Sequence, residues 1–145
     1  MQLVTVHFAT EQVSAAPPER VFALLEAGDR WQDWAGPFVP RSRWQVAGDP
    51  VGGVGAVRRL GVAPFVSLER ITEHVPGRRL AYVIDSRGPY RDYRSTVELT
   101  PTEDGGTRIV WQSTFSPIVP GTGPLLRWFL AAVVRSFARN LARQA

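Results

Sequence analysis

The sequence predicts an α+β fold in which a curved antiparallel sheet of about seven strands surrounds one long C-terminal helix. From residue 41 to residue 117, apolar and polar side chains mostly alternate, and tight turns interrupt the pattern at short intervals. From residue 120 onward the apolar period changes to that of a helix. Between the first strand and this run of strands, the pattern of residues 16–34 favours two short helices. Such a sheet would bury the apolar side of the long helix against its concave face.

The first three elements precede the run of strands. Residues 3–12 alternate and predict a half-buried strand. A helix begins at Ala16-Pro17-Pro18, because proline suits a first turn and the following Glu19 suits the positive helix end. Gly28 ends this helix, and a second short helix carries Trp31 and Trp34.

Six further strands follow in immediate succession. The turn signals include Pro76-Gly77, Gly88-Pro89 and Asp104-Gly105. Short consecutive strands joined by tight turns predict an antiparallel meander. The predicted strands cover residues 41–48, 54–61, 65–74, 79–86, 90–100 and 106–116.

The last helix begins near residues 120–124 and reaches about Arg143. At 100° per residue, one side of the helix is arginine-rich and the opposite side is apolar. Trp128 falls on the arginine side, where it packs against a loop or contacts a partner or second copy of the chain. The arginine side carries Arg135, Arg139 and Arg143, and the apolar side carries Leu126, Phe129, Leu130, Val133, Phe137 and Leu141.

Length and composition predict a single domain over residues 1–145. A chain of 145 residues buries roughly 68–70% of its unfolded surface. The charged share of 21% is typical of a globular protein, and the absence of cysteine excludes disulfides and thiolate chemistry. We find no signal peptide, and the longest apolar run, 129–134, is too short to span a bilayer. We therefore expect a cytoplasmic protein without a transmembrane segment.

All 17 basic residues are arginine, against 13 acidic residues, for a net charge of +4. No arginine run exceeds two, and acidic residues are interleaved throughout. Nucleic-acid binders usually concentrate their charge on one element, so we expect no nucleic-acid partner. The absence of lysine also excludes Schiff-base chemistry.

The order of elements, together with specific residues, resembles the START/Bet v 1-like (SRPBCC) superfamily and, within it, the bacterial polyketide cyclase/dehydrase-like group. The resemblance implies a helix-grip fold with a deep hydrophobic cavity between sheet and long helix. Its members include lipid and hormone carriers and aromatase/cyclases, so the resemblance alone names no reaction. The residues that carry it are 16–25, 31–34, 55–60, 69–73, 76–82, 92–93, 105–111 and 120–123.

Motifs for familiar catalytic sites are missing from the sequence. The two histidines, His7 and His74, are too few and too distant in sequence to suggest a metal cluster. A Gly-x-Ser-x-Gly elbow, a phosphate-binding loop and a dinucleotide fingerprint are also missing. We therefore expect neither a metal nor a cofactor.

The predicted concave face is aromatic with a few hydroxyl groups. Strand alternation places Arg91, Tyr93 and Ser95 on the same side as Val97 and Leu99, with Arg91 near the mouth of a cavity. Such a lining suits a flat or ring-bearing apolar ligand, although the same aromatic residues could simply fill a core. The full set of candidate ligand-binding residues is Trp34, Phe38, Arg58, Tyr82, Arg91, Tyr93, Ser95, Trp111, Phe129, Val133 and Phe137.

Arg58 and Arg59 are adjacent in one strand and point to opposite faces, so one of them faces the concave side. A turn centred on Ala63-Pro64 places Arg58 directly opposite Glu69. The pair could hold a ligand carbonyl, enolate or carboxylate, with Tyr93 as a proton donor. It could equally be a rim ion pair that contributes at most about 1 kcal/mol.

Three functional hypotheses follow. The first is a binding protein for a small hydrophobic ligand, aromatic or lipid-like. The second is a cofactor-independent cyclase, dehydratase or hydrolase using Arg58, Glu69 and Tyr93; aromatase/cyclases orient a polyketide with the residue types of Arg58, Tyr82, Tyr93 and Trp111. The third is a partner-binding module that uses Trp128 and the helix arginines, with a homodimer as one form of it.

Overall fold

A computed structural model describes residues 4–145 and consists of a seven-stranded antiparallel sheet, one short helix, one 3-10 turn and one long helix. The start of the predicted first strand, residue 3, lies outside the described residues. The elements in chain order are β1 (Val6–Ser14), α1 (Pro18–Glu26), the 3-10 turn (Trp31–Asp33), β2 (Ser42–Val46), β3 (Val57–Val62), β4 (Phe65–Val75), β5 (Arg79–Ile84), β6 (Tyr90–Pro101), β7 (Thr107–Pro117) and α2 (Gly123–Gln144).

The predicted meander is confirmed. Strands β2 to β7 pair in sequence order, and β1 adds to the outside of β7, so that β1 and β2 form the two edges. The predicted second short helix is reduced to the single 3-10 turn Trp31–Asp33. Its Trp31 is buried, and the indole Nε1 donates a hydrogen bond to the carbonyl of Leu25 at 3.0 Å, which ties the turn to α1.

Gly28 follows α1 because the chain passes close to β2 there. A Cβ at this position would lie 2.6 Å from the Trp44 ring, well inside van der Waals contact. The absence of a side chain lets α1 end against the sheet. Glycine at this point therefore serves close packing as well as the end of the helix.

A β-bulge interrupts β6. Arg91 pairs with Ser116 and Arg94 with Thr114, so one extra residue lies in β6 between these two pairs. Asp92 takes the left-handed conformation, with φ of 53°. An extra residue reverses the alternation of side chains on one side of the bulge.

The long helix α2 packs unevenly along the concave face. Its C-terminal half is buried through Val134, Phe137, Ala138 and Leu141. Its N-terminal half contacts the sheet at β1, where Arg127 Nε donates to the His7 carbonyl at 2.9 Å, and Phe129 there is 48% exposed. No helix among the described residues has the length and apolarity that crossing a bilayer requires.

Candidate functional site

A cavity of about 390 Å³ lies between the middle of α2, residues 129–137, and the concave face of the sheet. One wall comes from the helix and the other from β3 to β6, with the β3–β4 hairpin and the β5–β6 connection at the mouth. Of the predicted site residues, the structure brings the following to its surface: Phe38, Glu69, Tyr82, Tyr93, Phe129, Val133 and Phe137.

Glu69 is the acidic group of the cavity. The predicted register is confirmed, because Arg58 lies directly opposite Glu69 across β3 and β4. Arg58 Nε donates to Glu69 Oε1 at 2.9 Å, and Ser67 Oγ donates to Oε2 at 3.2 Å. Each carboxylate oxygen keeps a lone pair for a further donor, so Glu69 can accept a hydrogen bond from a group in the cavity.

Arg58, and not Arg59, faces the concave side. Its side chain is fully buried, with the guanidinium carbon 3.9 Å from the Trp31 ring centroid and 4.4 Å from the Tyr82 ring centroid. Two aromatic faces around a guanidinium are favourable cation–π contacts. Since Arg58 has no surface on the cavity, it can act on a ligand only through Glu69 or Tyr82.

Several buried donors, two of them on Arg58 itself, have no acceptor among the described residues. The two terminal nitrogens of Arg58 and the indole nitrogens of Trp34 and Trp111 have no hydrogen-bond acceptor within residues 4–145. Buried donors without acceptors cost free energy. The region around Arg58 is therefore rich in hydrogen-bond donors, and the Glu69 carboxylate is the negative charge that faces the Arg58 guanidinium.

A chain of hydroxyl groups continues from the cavity into the sheet. Tyr93 Oη donates to Ser113 Oγ at 3.3 Å, and the hydroxyls of Ser113 and Ser95 are 2.5 Å apart. The predicted inward direction of Tyr93 and Ser95 is confirmed by their burial. Ser95 lies behind the tyrosines and has no surface on the cavity.

The three tyrosines at the cavity remain neutral phenols at physiological pH. Burial raises the pKa of Tyr90 to about 12, with a smaller contribution from the Glu69 carboxylate. Burial also raises the pKa of Tyr93 and that of Tyr82 well above the ordinary phenol value. A neutral phenol can donate a hydrogen bond to a ligand, but it cannot serve as a base near neutral pH.

The prediction that Arg91 lies near the mouth of the cavity is wrong. The bulge at residues 91–94 turns Arg91 to the outside, where it borders a groove with the start of β1 and the start of α2. Tyr90 takes the inward position and lines the cavity in its place. Residue alternation could not reveal this, because a bulge adds one residue without a clear sequence signal.

Trp34 and Trp111 are core residues with no surface on the cavity, contrary to the prediction. The Trp31 ring packs against both, with centroids 4.7 Å from Trp34 and 5.8 Å from Trp111. Phe137 completes the group at 5.6 Å from Trp31. The two tryptophan rings and Trp31 fill the space between sheet and helix on one side of Phe137, and Phe137 itself borders the cavity.

Several cavity residues were missed from the sequence. Leu60 and Ser67 are two positions from Arg58 and Glu69, so strand alternation contained the signal for both. Leu130 was assigned to the apolar side of the helix but not to the site. The position of Phe65, at the hairpin tip, depends on the three-dimensional course of the turn.

No group of three or more histidine or acidic side chains that could hold a metal occurs within residues 4–145. His74 pairs with Glu26 through Nε2 and Oε2 at 2.8 Å and packs edge-on against Phe22. This pair therefore links β4 to α1.

Comparisons with known proteins agree with this geometry. The family model described as polyketide cyclase / dehydrase and lipid transport matches residues 5–145. No curated protein matches the chain. The solved structures of similar fold include protein XoxI from Bacillus cereus, with 22% identity, TM-score 0.77 and coverage of 96% of this chain and 94% of that one.

Two further structures of similar fold are more distant in sequence. A START superfamily protein from Mycobacterium smegmatis has a TM-score of 0.80 at 11% identity and covers 95% of both chains. A norcoclaurine synthase point mutant from Thalictrum flavum, solved with a transition state analogue, has a TM-score of 0.78 at 15% identity, covering 99% of this chain and 96% of that one. The chain has the helix-grip architecture, and the family match over residues 5–145 leads to one conclusion: the chain belongs to the polyketide cyclase/dehydrase and lipid transport family.

Proposed function

We propose that the chain binds a small, mostly apolar ligand that carries one hydroxyl group and places it against Glu69. The observation that carries this proposal is the distribution of polarity in the cavity. Aliphatic and aromatic side chains form most of the walls, and Glu69, Ser67 and the tyrosine hydroxyls are concentrated on the sheet side. Ligand sites commonly combine apolar walls with a few polar groups that fix orientation.

The size and chemistry of the cavity restrict the ligand. A volume of about 390 Å³ lies at the lower end of the roughly 300–1,000 Å³ that is common for small-molecule sites. The aromatic rings of Phe129, Phe137 and Tyr90 suit a flat ring system through offset or edge-to-face contacts. A ligand hydroxyl would donate to Glu69 and accept from a neutral tyrosine.

A pair of matched probes tests the hydroxyl preference. We expect 2-naphthol to bind about tenfold more tightly than 2-methoxynaphthalene, since a hydrogen bond to a charged group contributes about 1.5–3 kcal/mol. Glu69→Gln should remove most of this preference. Glu73→Gln is the matched control, because Glu73 lies on the same strand, is half-exposed and pairs with Arg79 away from the cavity. Quenching of tryptophan fluorescence and native mass spectrometry measure binding.

A second variant tests the location. Val133→Trp would place a large ring in the cavity, and we expect it to abolish binding of both naphthalene probes while the far-ultraviolet circular dichroism stays unchanged. Unaltered probe binding in Val133→Trp would contradict the proposal. Equal affinity of the wild type for 2-naphthol and 2-methoxynaphthalene would contradict it as well.

A cofactor-independent enzyme of the cyclase or dehydratase type is the second candidate, and one observation favours it. The Glu69 carboxylate reaches the cavity beside Tyr82, Tyr90 and Tyr93, so that a base and neutral proton donors border the same space. Because Arg58 is buried between two rings, its removal would disturb folding, and it is unsuited as the first test. Glu69→Gln and Tyr93→Phe should instead abolish turnover of a poly-β-ketone substrate, followed by product absorbance. Turnover that survives both changes would exclude these roles.

A further inference from the structure

A second concavity, of about 740 Å³, lies between the start of β1, the connection from β7 to α2, and the first residues of α2. We call it the β1–α2 groove. It shares no lining residue with the cavity beside Glu69. An apolar ligand could therefore lie in this groove without entering the cavity. Most of its wall is aliphatic, from the side chains of Val4, Val6, Pro117, Ile118, Pro120 and Pro124.

Residues with little conformational freedom shape the groove. Three of the lining residues are prolines, and a proline ring fixes φ. Gly123 lies where β1 and the end of β7 meet: a Cβ there would be 3.4 Å from Val6 Cγ2 and 3.6 Å from Pro117 Cγ. The absence of a side chain leaves this space open to a ligand. Because the walls are already ordered, a ligand loses little binding energy to the ordering of the protein.

The charged side chains that border the groove are two arginines. No acidic side chain within residues 4–145 lines it. Arg127 Nε donates to the His7 carbonyl at 2.9 Å, which holds the side chain beside β1 and leaves its terminal nitrogens free for another acceptor. Arg91 is exposed, and the ion pairs of the described residues use neither arginine. The groove thus combines apolar walls with two uncompensated positive charges.

Arg91 borders the groove because of the bulge in β6. Regular alternation would place it on the inner face with Tyr93, and the bulge turns it outward instead. Asp92 takes a φ of 53°, a conformation that is unfavourable for a residue other than glycine. Strained positions of this kind are concentrated at functional sites. The bulge therefore supplies a positive charge to the groove, just as it supplies Tyr90 to the cavity.

We propose that the β1–α2 groove binds an amphipathic carboxylic acid, such as a medium-chain fatty acid, as a second ligand site. The carboxylate lies between Arg91 and Arg127, since guanidinium groups form charge-assisted hydrogen bonds with carboxylates. The alkyl chain lies along the valine and proline walls, where its burial is favourable. The preference is opposite to that of the cavity, because the Glu69 carboxylate there repels a second carboxylate at close range.

Two other occupants of the groove offer no negative charge. A two-fold symmetric contact with a second copy of the chain would bring Arg91 and Arg127 of both copies together. Residues 1–3, which precede Val4, are Met-Gln-Leu and carry no acidic side chain. Charge complementarity therefore favours an anionic ligand over both of these occupants.

Decanoate and methyl decanoate form a matched pair of probes, because only the charge of the head group differs between them. We expect decanoate to bind the wild type about tenfold more tightly than the ester in isothermal titration calorimetry. Added salt should weaken the binding of decanoate and leave that of the ester unchanged. Arg87 also borders the cavity, so the same titration is made with Val133→Trp, in which the cavity is filled. Decanoate should bind this variant as it binds the wild type.

Arginine variants test the position of the carboxylate. Arg91→Gln should lower the affinity for decanoate about fivefold, and Arg91→Gln/Arg127→Gln should lower it to that of the ester. Arg94→Gln is the matched control, since Arg94 is likewise exposed on β6 but does not border the groove. An equal loss in Arg91→Gln and Arg94→Gln would overturn the proposed role of Arg91.

A charge placed in the wall tests the position of the alkyl chain. Ile118 is 47% exposed, so Ile118→Glu keeps the core intact while it adds a negative charge to the groove. We expect it to abolish decanoate binding. Val13→Glu adds the same charge at an exposed valine near the other end of β1 and should change little. Amide chemical shifts in ¹H–¹⁵N spectra should change with decanoate at Val6 and Ile118, and not at Glu69.

The outcomes separate the groove from the cavity. Protein that binds 2-naphthol but not decanoate contradicts the groove proposal alone, and the reverse result contradicts the cavity proposal alone. Loss of decanoate binding in Val133→Trp, with shift changes at Glu69 in the wild type, would assign decanoate to the cavity. Decanoate binding that requires deletion of residues 1–3 would assign the groove to the start of the chain. A dimer in sedimentation velocity that Ile118→Glu converts to monomer, without decanoate binding, would assign the groove to self-association.

Discussion

The two ends of α2 contact the same sheet in different ways. At the C-terminal end, Phe137 and Leu141 are buried, and Trp111 packs with its ring centroid 6.0 Å from that of Phe137. At the N-terminal end, Phe129 is about half-exposed and borders the cavity. Both ends present large apolar residues, so hydrophobicity alone does not determine whether the space closes. The difference comes from Trp31 and Trp111, whose rings fill the space at one end only.

We call the C-terminal end of α2, where rings fill the space, the closed end, and the end beside the cavity the open end. The largest expected effect is a loss of stability at the closed end. Trp111→Ala should lower the free energy of unfolding by about 3–5 kcal/mol, because it leaves a cavity among rings that cannot collapse into it. Phe129→Ala is the matched change at the open end and should cost less than about 1 kcal/mol, since half of that side chain already contacts solvent. Urea denaturation measures both.

Similar losses in the two variants would mean that the open end is packed as tightly in solution as the closed end. That result would remove the physical basis of the cavity.

The second effect concerns Arg58, at the boundary between the two ends. Arg58→Met keeps an unbranched side chain between Trp31 and Tyr82 but leaves Glu69 without its positive partner. We expect a loss of about 3 kcal/mol, the lower end for breaking a buried ion pair, because Glu69 borders the cavity. Arg59→Met, on the opposite face of the same strand, should change the unfolding free energy by less than about 0.5 kcal/mol.

Equal effects of Arg58→Met and Arg59→Met in urea denaturation would show that the buried pair has no special role in stability. The double variant Arg58→Met/Glu69→Met adds a further control. It should recover part of the loss, since an apolar pair leaves no uncompensated buried charge.

Local features of the sequence predicted the fold and the Arg58–Glu69 pair well. Residues that are equally distant from the centre of a hairpin turn face each other, and a turn centred on Ala63-Pro64 was sufficient to place Arg58 opposite Glu69. Two features had no such signal. The bulge at Asp92 exchanged Arg91 for Tyr90 at the cavity, and the packing of Trp31 and Phe137 around Trp111 decided that Trp111 belongs to the core. Both depend on three-dimensional packing, about which the pattern of apolar residues along the sequence gives no information.

The smallest expected effect is on tyrosine titration, which reports on the open end almost alone. The chain has three tyrosines, and Tyr82, Tyr90 and Tyr93 all line the cavity. Burial is the main cause of the raised pKa in each, and that of Tyr90 is about 12. Folded protein should therefore show little tyrosinate absorbance at the pH where an unfolded chain, with phenol pKa values near about 10, is half ionised.

The sign of the linked stability change follows from the same shifts. A phenol whose pKa is higher in the folded state stabilises the protein fully below the unfolded pKa, and this contribution is lost as the pH rises. The contribution of the tyrosines to the free energy of unfolding should accordingly stay constant below about pH 9 and fall between about pH 10 and 12. Tyr90→Phe should make that fall shallower, and Phe129→Ala, which opens the cavity to water, should bring the first tyrosinate absorbance to lower pH. If the absorbance of folded wild-type protein instead follows free tyrosine, water already reaches all three phenols, and the open end is a solvent-filled cleft rather than an apolar cavity.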